Sequence, residues 1–162
     1  MYATASVVIE HPVRECAEAL TASPARWFPR LVSRIGNGSD KQLAAVGFHI
    51  AGMPVRKRVD VAIGDPSVTG DWVTIPIYWK PTFPAGLFPV FDGRLTLVPH
   101  APGHSRLTIS GLYEPPFDSL GRTLDEAMMH SAAEATLKEL AESIGAGLNG
   151  VLAGRTAAQA SS

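Results

Sequence analysis

The sequence has one cysteine, Cys16, which excludes an intrachain disulfide. A reducing compartment is the natural setting for such a chain. It also has no uninterrupted apolar run of roughly 18 residues, the length that a membrane-spanning helix needs. Met1-Tyr2-Ala3-Thr4 shows no basic patch leading into an apolar stretch. Neither membrane insertion nor a secretory signal is therefore expected, and the expected location is cytoplasmic. Excess charge of either sign is missing too: 14 basic residues face 15 acidic ones, for a net charge of −1. That balance gives no field to steer the chain toward nucleic acid or an anionic surface. There is no Gly-rich phosphate loop, no nucleophile elbow and no pair of carboxylates at a useful spacing.

What is present suits one globular domain. The chain has 162 residues, enough for a core of its own. A single domain over 1–153 is expected, and the small, polar tail 154–162 is expected to be disordered.

The first β-branched run, Thr4 to Glu10, reads as a strand. Pro12 suits the start of a helix. Val13, Cys16, Ala17 and Leu20 follow at helical spacing. Ser23-Pro24 reads as a second helix start. That helix carries Trp27, Phe28 and Leu31, with Pro29 disturbing it. After a turn at Asn37-Gly38-Ser39-Asp40, the helical period disappears. Strands are expected near 42–50, 54–63, 69–79, 88–98 and 105–114, joined by breaks short enough for an antiparallel meander. The break from Thr82 to Pro89 is longer and apolar, and reads either as a loop over a cavity mouth or as a packed loop.

Each strand alternates. Val55, Val59, Val61 and Ile63 oppose Arg56, Arg58 and Asp60. Val73, Ile75, Ile77 and Trp79 oppose Thr74 and Tyr78. Phe91, Leu95 and Leu97, and then Leu107, Ile109 and Tyr113, repeat the pattern against polar partners. One apolar face per strand is the mark of a sheet covered on one side. The cover is one long helix from about Leu120 to Leu152. Its stripe runs through Met129, Ala133, Leu137, Leu140, Ile144, Leu148 and Val151.

The order of strand, two short helices, antiparallel strands and long helix resembles the SRPBCC superfamily, the START-related and polyketide cyclase-like proteins. The residues that carry the resemblance are Glu10-His11-Pro12-Val13, Trp27-Phe28-Pro29, and Gly111-Leu112-Tyr113-Glu114-Pro115-Pro116 with Gly121 and Asp125. The last segment looks especially like bacterial members whose function is unassigned. The resemblance implies an α+β helix-grip fold. A curved antiparallel sheet of six or seven strands would wrap a long C-terminal helix, with a cavity between them. Members bind lipids, sterols, polyketides, plant hormones or aromatic metabolites, and some are cyclases or hydrolases.

Lys57 is the odd residue, since alternation puts it on the apolar face of Val55, Val59 and Val61. A buried lysine is costly unless paired. Lys57 is either a cation meeting a ligand carboxylate or phenolate, or a residue whose ammonium snorkels to water or sits at a bulge. Trp79, Phe91 and Tyr113 project to the same face and are candidate cavity-lining residues, with Met129, Ala133 and Thr136 (and the ambiguous Met128) on the helix. His49, Lys57 and Tyr113 are candidate proton shuttles. His100 and His104 show an H-x3-H spacing, but Ala101-Pro102-Gly103 between them reads as a hairpin turn and no third ligand is near, so no metal site is expected. Glu126, His130 and Glu134 read as solvated charges on a helix edge. Cys16 reads as an inert core residue.

The expected function is a soluble carrier or sensor of a hydrophobic or amphipathic small molecule, without a cofactor. A polyketide cyclase, aromatase or dehydratase using the same cavity is the alternative. A ligand-free protein-interaction module is a third, and a homodimer is left open.

Overall fold

A computed structural model describes residues 1–36, 39–50, 53–82, 89–114 and 126–161, with the backbone alone described at 32–36, 39–41, 49, 50 and 126. Tyr2–Ile9 forms β1, and Val13–Thr21 forms α1. The Pro12 carbonyl accepts the amides of Glu15 and Cys16 at 3.1 and 3.2 Å and so opens α1. A 3₁₀ turn, Pro24–Arg26, follows. The expected second helix ends there. Pro29 cannot continue it, and Arg30 has a positive φ of 52°. Val32–Gly36 is instead a strand, β2, which hairpins onto β3, Ser39–Ile50. Asn37-Gly38 of the expected turn lies outside the described residues, as does Gly52 between the next two strands.

Met53–Ile63 is β4. The single strand expected at 69–79 is two, β5 at Ser67–Thr69 and β6 at Trp72–Pro81, because Gly70 turns the chain with a φ of 59°. Val90–Ala101 is β7 and His104–Glu114 is β8, joined at Gly103 with a φ of 76°. All pairings are antiparallel, and the sheet order is β1-β8-β7-β6-β4-β3-β2 with β5 paired to β6.

The long helix, α2, spans Glu126–Ala160, roughly 50 Å at 1.5 Å per residue. The expected start near Leu120 lies outside the described residues. The expected end at Leu152 is corrected: the segment 154–162 continues the helix as far as Ala160. Arg155 reaches Glu18 of α1 at 3.4 Å and ties that end to the body.

Helix α2 packs on β1 and also on β3. Five strand spacings separate those two in the sheet order, about 24 Å if the sheet were flat. A helix about 10–12 Å wide reaches both only when the sheet curls around it. The inner face of that curl is the apolar face of β1, β3, β4, β6, β7 and β8. Ala133, Leu137, Leu140, Ala141, Ile144 and Leu148 of α2 are buried against it, while Met129 and Val151 are half-buried.

Candidate functional site

Register decides what the inner face presents. Val61 on β4 lies opposite Trp79 on β6, Trp79 opposite Phe91 on β7, and Phe91 opposite Tyr113 on β8. These four residues therefore form one transverse row across the curl. The Tyr113 amide donates to the Met1 carbonyl at 2.7 Å and extends the row's backbone ladder to the edge. Trp79 and Phe91 are fully buried and stack, with ring centroids 4.3 Å apart and planes 23° apart. Such pairs add about 0.5–1.5 kcal/mol beyond their buried area.

The next row explains how Phe91 fits. It carries Ile77, Gly93, Gly111 and Ala3. A Cβ at Gly93 would land on the Ser110 carbonyl and 2.6 Å from Cζ of Phe91, so the Phe91 ring folds across the bare backbone. A Cβ at Gly111 would fall on the Asp92 carbonyl and on Cα of Gly93. The two glycines let β7 and β8 and the ring pack at a distance no side chain allows.

Above this row stands α2. Thr136 is fully buried and donates its hydroxyl to the Ala132 carbonyl at 2.9 Å, the ordinary back-bond of a helical threonine. Its oxygen also meets the Tyr113 hydroxyl in a hydrogen bond. Burial pushes that phenol up to about 12, and the smaller effect of Thr136 lowers it. At neutral pH Tyr113 is a protonated hydrogen-bonding group. The indole N–H of Trp79 is different: it is buried and has no partner among the described residues.

Trp79, Phe91 and Tyr113 share the row, and Thr136 sits over it with Ala133 buried one turn away. Met129 is half-buried and Met128 is exposed. Lys57 faces inward opposite Val46, on the part of the β3–β4 hairpin that runs past the row, and is half-buried. The β3–β4 pairing has no register shift, so no bulge turns Lys57 outward. The His49 side chain, the segment 83–88 within the apolar break, and the motif residues 115–125 lie outside the described residues.

The other candidates have local roles. His100 meets Arg106 at 3.0 Å, and His104 meets the Pro102 carbonyl at 3.0 Å. His130 pairs with Glu134 at 3.2 Å on the exposed side of α2. Among the described residues no three His, Cys, Asp or Glu side chains converge as a metal would need. Cys16 is fully buried beside the Ser105 hydroxyl at 3.4 Å. Burial raises its thiol pKa, Ser105 lowers it, and Glu15 raises it further, with burial the largest effect. Ser105 in turn donates to the His11 carbonyl at 2.8 Å.

Two features had no signal in the sequence reading. One is the unpartnered indole, because a partner's absence shows only in three dimensions. The other is an open groove of about 530 Å³ on the far side of α2, between Arg26 and the helix at Gly147, Gly150, Gly154 and Arg155. The spacing of those glycines was visible, but not the turn that faces them.

No protein-family model and no curated protein matches the chain. Solved structures do match. A conserved protein from Geobacillus kaustophilus superposes with a TM-score of 0.58 at 15% identity, covering 92% of this chain and 95% of that one. A STAR-related lipid transfer protein from Xanthomonas axonopodis gives 0.54 at 14% identity, over 90% and 84%. The Zhui aromatase/cyclase from a Streptomyces species gives 0.53 at 14% identity, over 96% and 95%. No helix among the described residues is long and apolar enough to cross a membrane. A curled antiparallel sheet closed by a long C-terminal helix, with two short helical segments after β1, is the helix-grip fold, the arrangement that these solved structures share.

Proposed function

We propose that this chain binds a hydrophobic or amphipathic small molecule between its sheet and α2, as a carrier or sensor. The observation that carries the reading is the inward row of Trp79, Phe91 and Tyr113, spanned by Thr136 of the helix. Aromatic walls with a few fixed polar groups are what a small-molecule site needs: apolar area for affinity and polar points for orientation. Two proteins of the same fold are named for lipid transfer and for aromatase/cyclase activity, and both names imply apolar or aromatic molecules. Burial pushes the Tyr113 phenol up to about 12, which favours a binding role over acid–base work for this residue. It can donate a hydrogen bond at neutral pH but is a poor base.

Native mass spectrometry of freshly purified protein tests this. A co-purified lipid or aromatic molecule is expected, with a Tm that rises when lipids or aromatic metabolites are added. Ligand-free protein whose Tm ignores a broad panel of hydrophobic compounds would sink the reading.

A further inference from the structure

Trp79 is fully buried. Its indole nitrogen has no partner among the described residues. A buried donor left unpaired is destabilising, because it has given up its hydrogen bonds to water. Its row neighbour meets a different fate, because the Tyr113 hydroxyl is satisfied by Thr136, and Thr136 by the Ala132 carbonyl. The stacking with Phe91 uses the indole face and does nothing for the N–H at its edge. No described residue supplies the acceptor, so the donor is open to one carried by a molecule bound against the row.

Resting on the carrier reading above, we infer that the ligand carries a hydrogen-bond acceptor, a carbonyl or carboxylate oxygen, that takes the Trp79 indole N–H. An indole nitrogen donates and never accepts. It therefore favours ketones, esters and acids over hydrocarbons, which leave it unpaired, and over amines bound as ammonium. A site with a fixed buried donor discriminates by what it leaves unsatisfied. Trp27 provides an internal control. Its N–H is also buried and has no partner among the described residues, but the residue packs farther along α2, with its backbone against Gly147 and its ring edge-on to Phe28.

The test compares 2-acetylnaphthalene with 2-ethylnaphthalene, which differ by a carbonyl in place of a methylene. Affinities are measured by calorimetry, and the indole N–H resonances are followed by NMR in 15N-labelled protein. The expected result is roughly tenfold tighter binding of the ketone, with a downfield shift of the Trp79 indole proton that the hydrocarbon does not produce. Trp79→Phe should abolish the preference and Trp27→Phe should keep it. Equal affinities with an unmoved Trp79 resonance would overturn the inference and leave the carrier reading standing. Binding of neither compound would overturn the inference, and the lipid and metabolite panel then decides the carrier reading separately. If Trp79→Phe does not fold, the wild-type affinities and resonance decide alone.

Discussion

The hydroxyl of Tyr113, on the last strand, hydrogen-bonds the hydroxyl of Thr136, on the helix that follows it. This contact joins the two halves of the grip inside the protein, where Tyr113 is 6% exposed and Thr136 not at all. It also has a pH signature.

The Tyr113 phenol is raised from its ordinary value of 10.0 to about 12. The folded state therefore holds the proton more tightly than the unfolded state. The associated stability is fully present below pH 10 and is lost as pH rises toward 12. Two pKa units correspond to about 2–3 kcal/mol. Chemical denaturation across that window should show this loss in the wild type and not in Tyr113→Phe. At neutral pH the same substitution should cost about 1 kcal/mol for the lost hydrogen bond. Parallel alkaline profiles would refute the assignment.

Gly111 cannot carry a side chain. A Cβ there would fall on backbone atoms of Asp92 and Gly93, which a strand ladder holds in place. Gly111→Ala should destabilise by about 1–3 kcal/mol or more, read as a lower midpoint in urea at unchanged slope. A neutral effect would mean that the two strands do not pack this closely.

The helix glycines should divide. Gly150 and Gly154 would place a Cβ in open space, so Gly150→Ala and Gly154→Ala should each raise stability, by up to ~1 kcal/mol. Gly147→Ala should lower it, because its Cβ would lie 2.6 Å from the Trp27 carbonyl oxygen. Thermal melts of the three variants check the order, and a stabilising Gly147→Ala would contradict the packing of the 3₁₀ turn on α2.

Lys57 faces inward opposite Val46, which is 1% exposed. If its ammonium serves the ligand, Lys57→Met should weaken a carboxylate ligand by roughly tenfold relative to its neutral ester, the scale of a charged hydrogen bond. Unchanged affinity for both, with unchanged or higher stability, would remove Lys57 from the site.

Much of this was written in local pattern. Alternation placed Val59, Val61, Trp79, Phe91, Ile109 and Tyr113 on one side because a strand's side chains change face at every residue. Three- and four-residue steps placed Ala133, Leu137, Leu140, Ile144 and Leu148 on one helix stripe for the same kind of reason. The strand β2 was not legible: Val32 to Gly36 is short, follows a proline-disturbed segment, and exists by pairing with β3. The end of α2 was misplaced because the small, polar residues after Gly154 show no apolar period, yet they stay helical beyond the contact of Arg155 with Glu18.

The sequence by itself thus determined which residues turn inward and that one long helix covers them. Those properties follow from the fixed geometry of a strand and a helix. Only the tertiary structure decided that Trp79, Phe91 and Tyr113 stand side by side, that Thr136 meets the last of them, and that the indole of Trp79 has no partner among the described residues. Cross-strand register and the seating of the helix join residues far apart in the chain, and local periodicity carries no information about which of them meet.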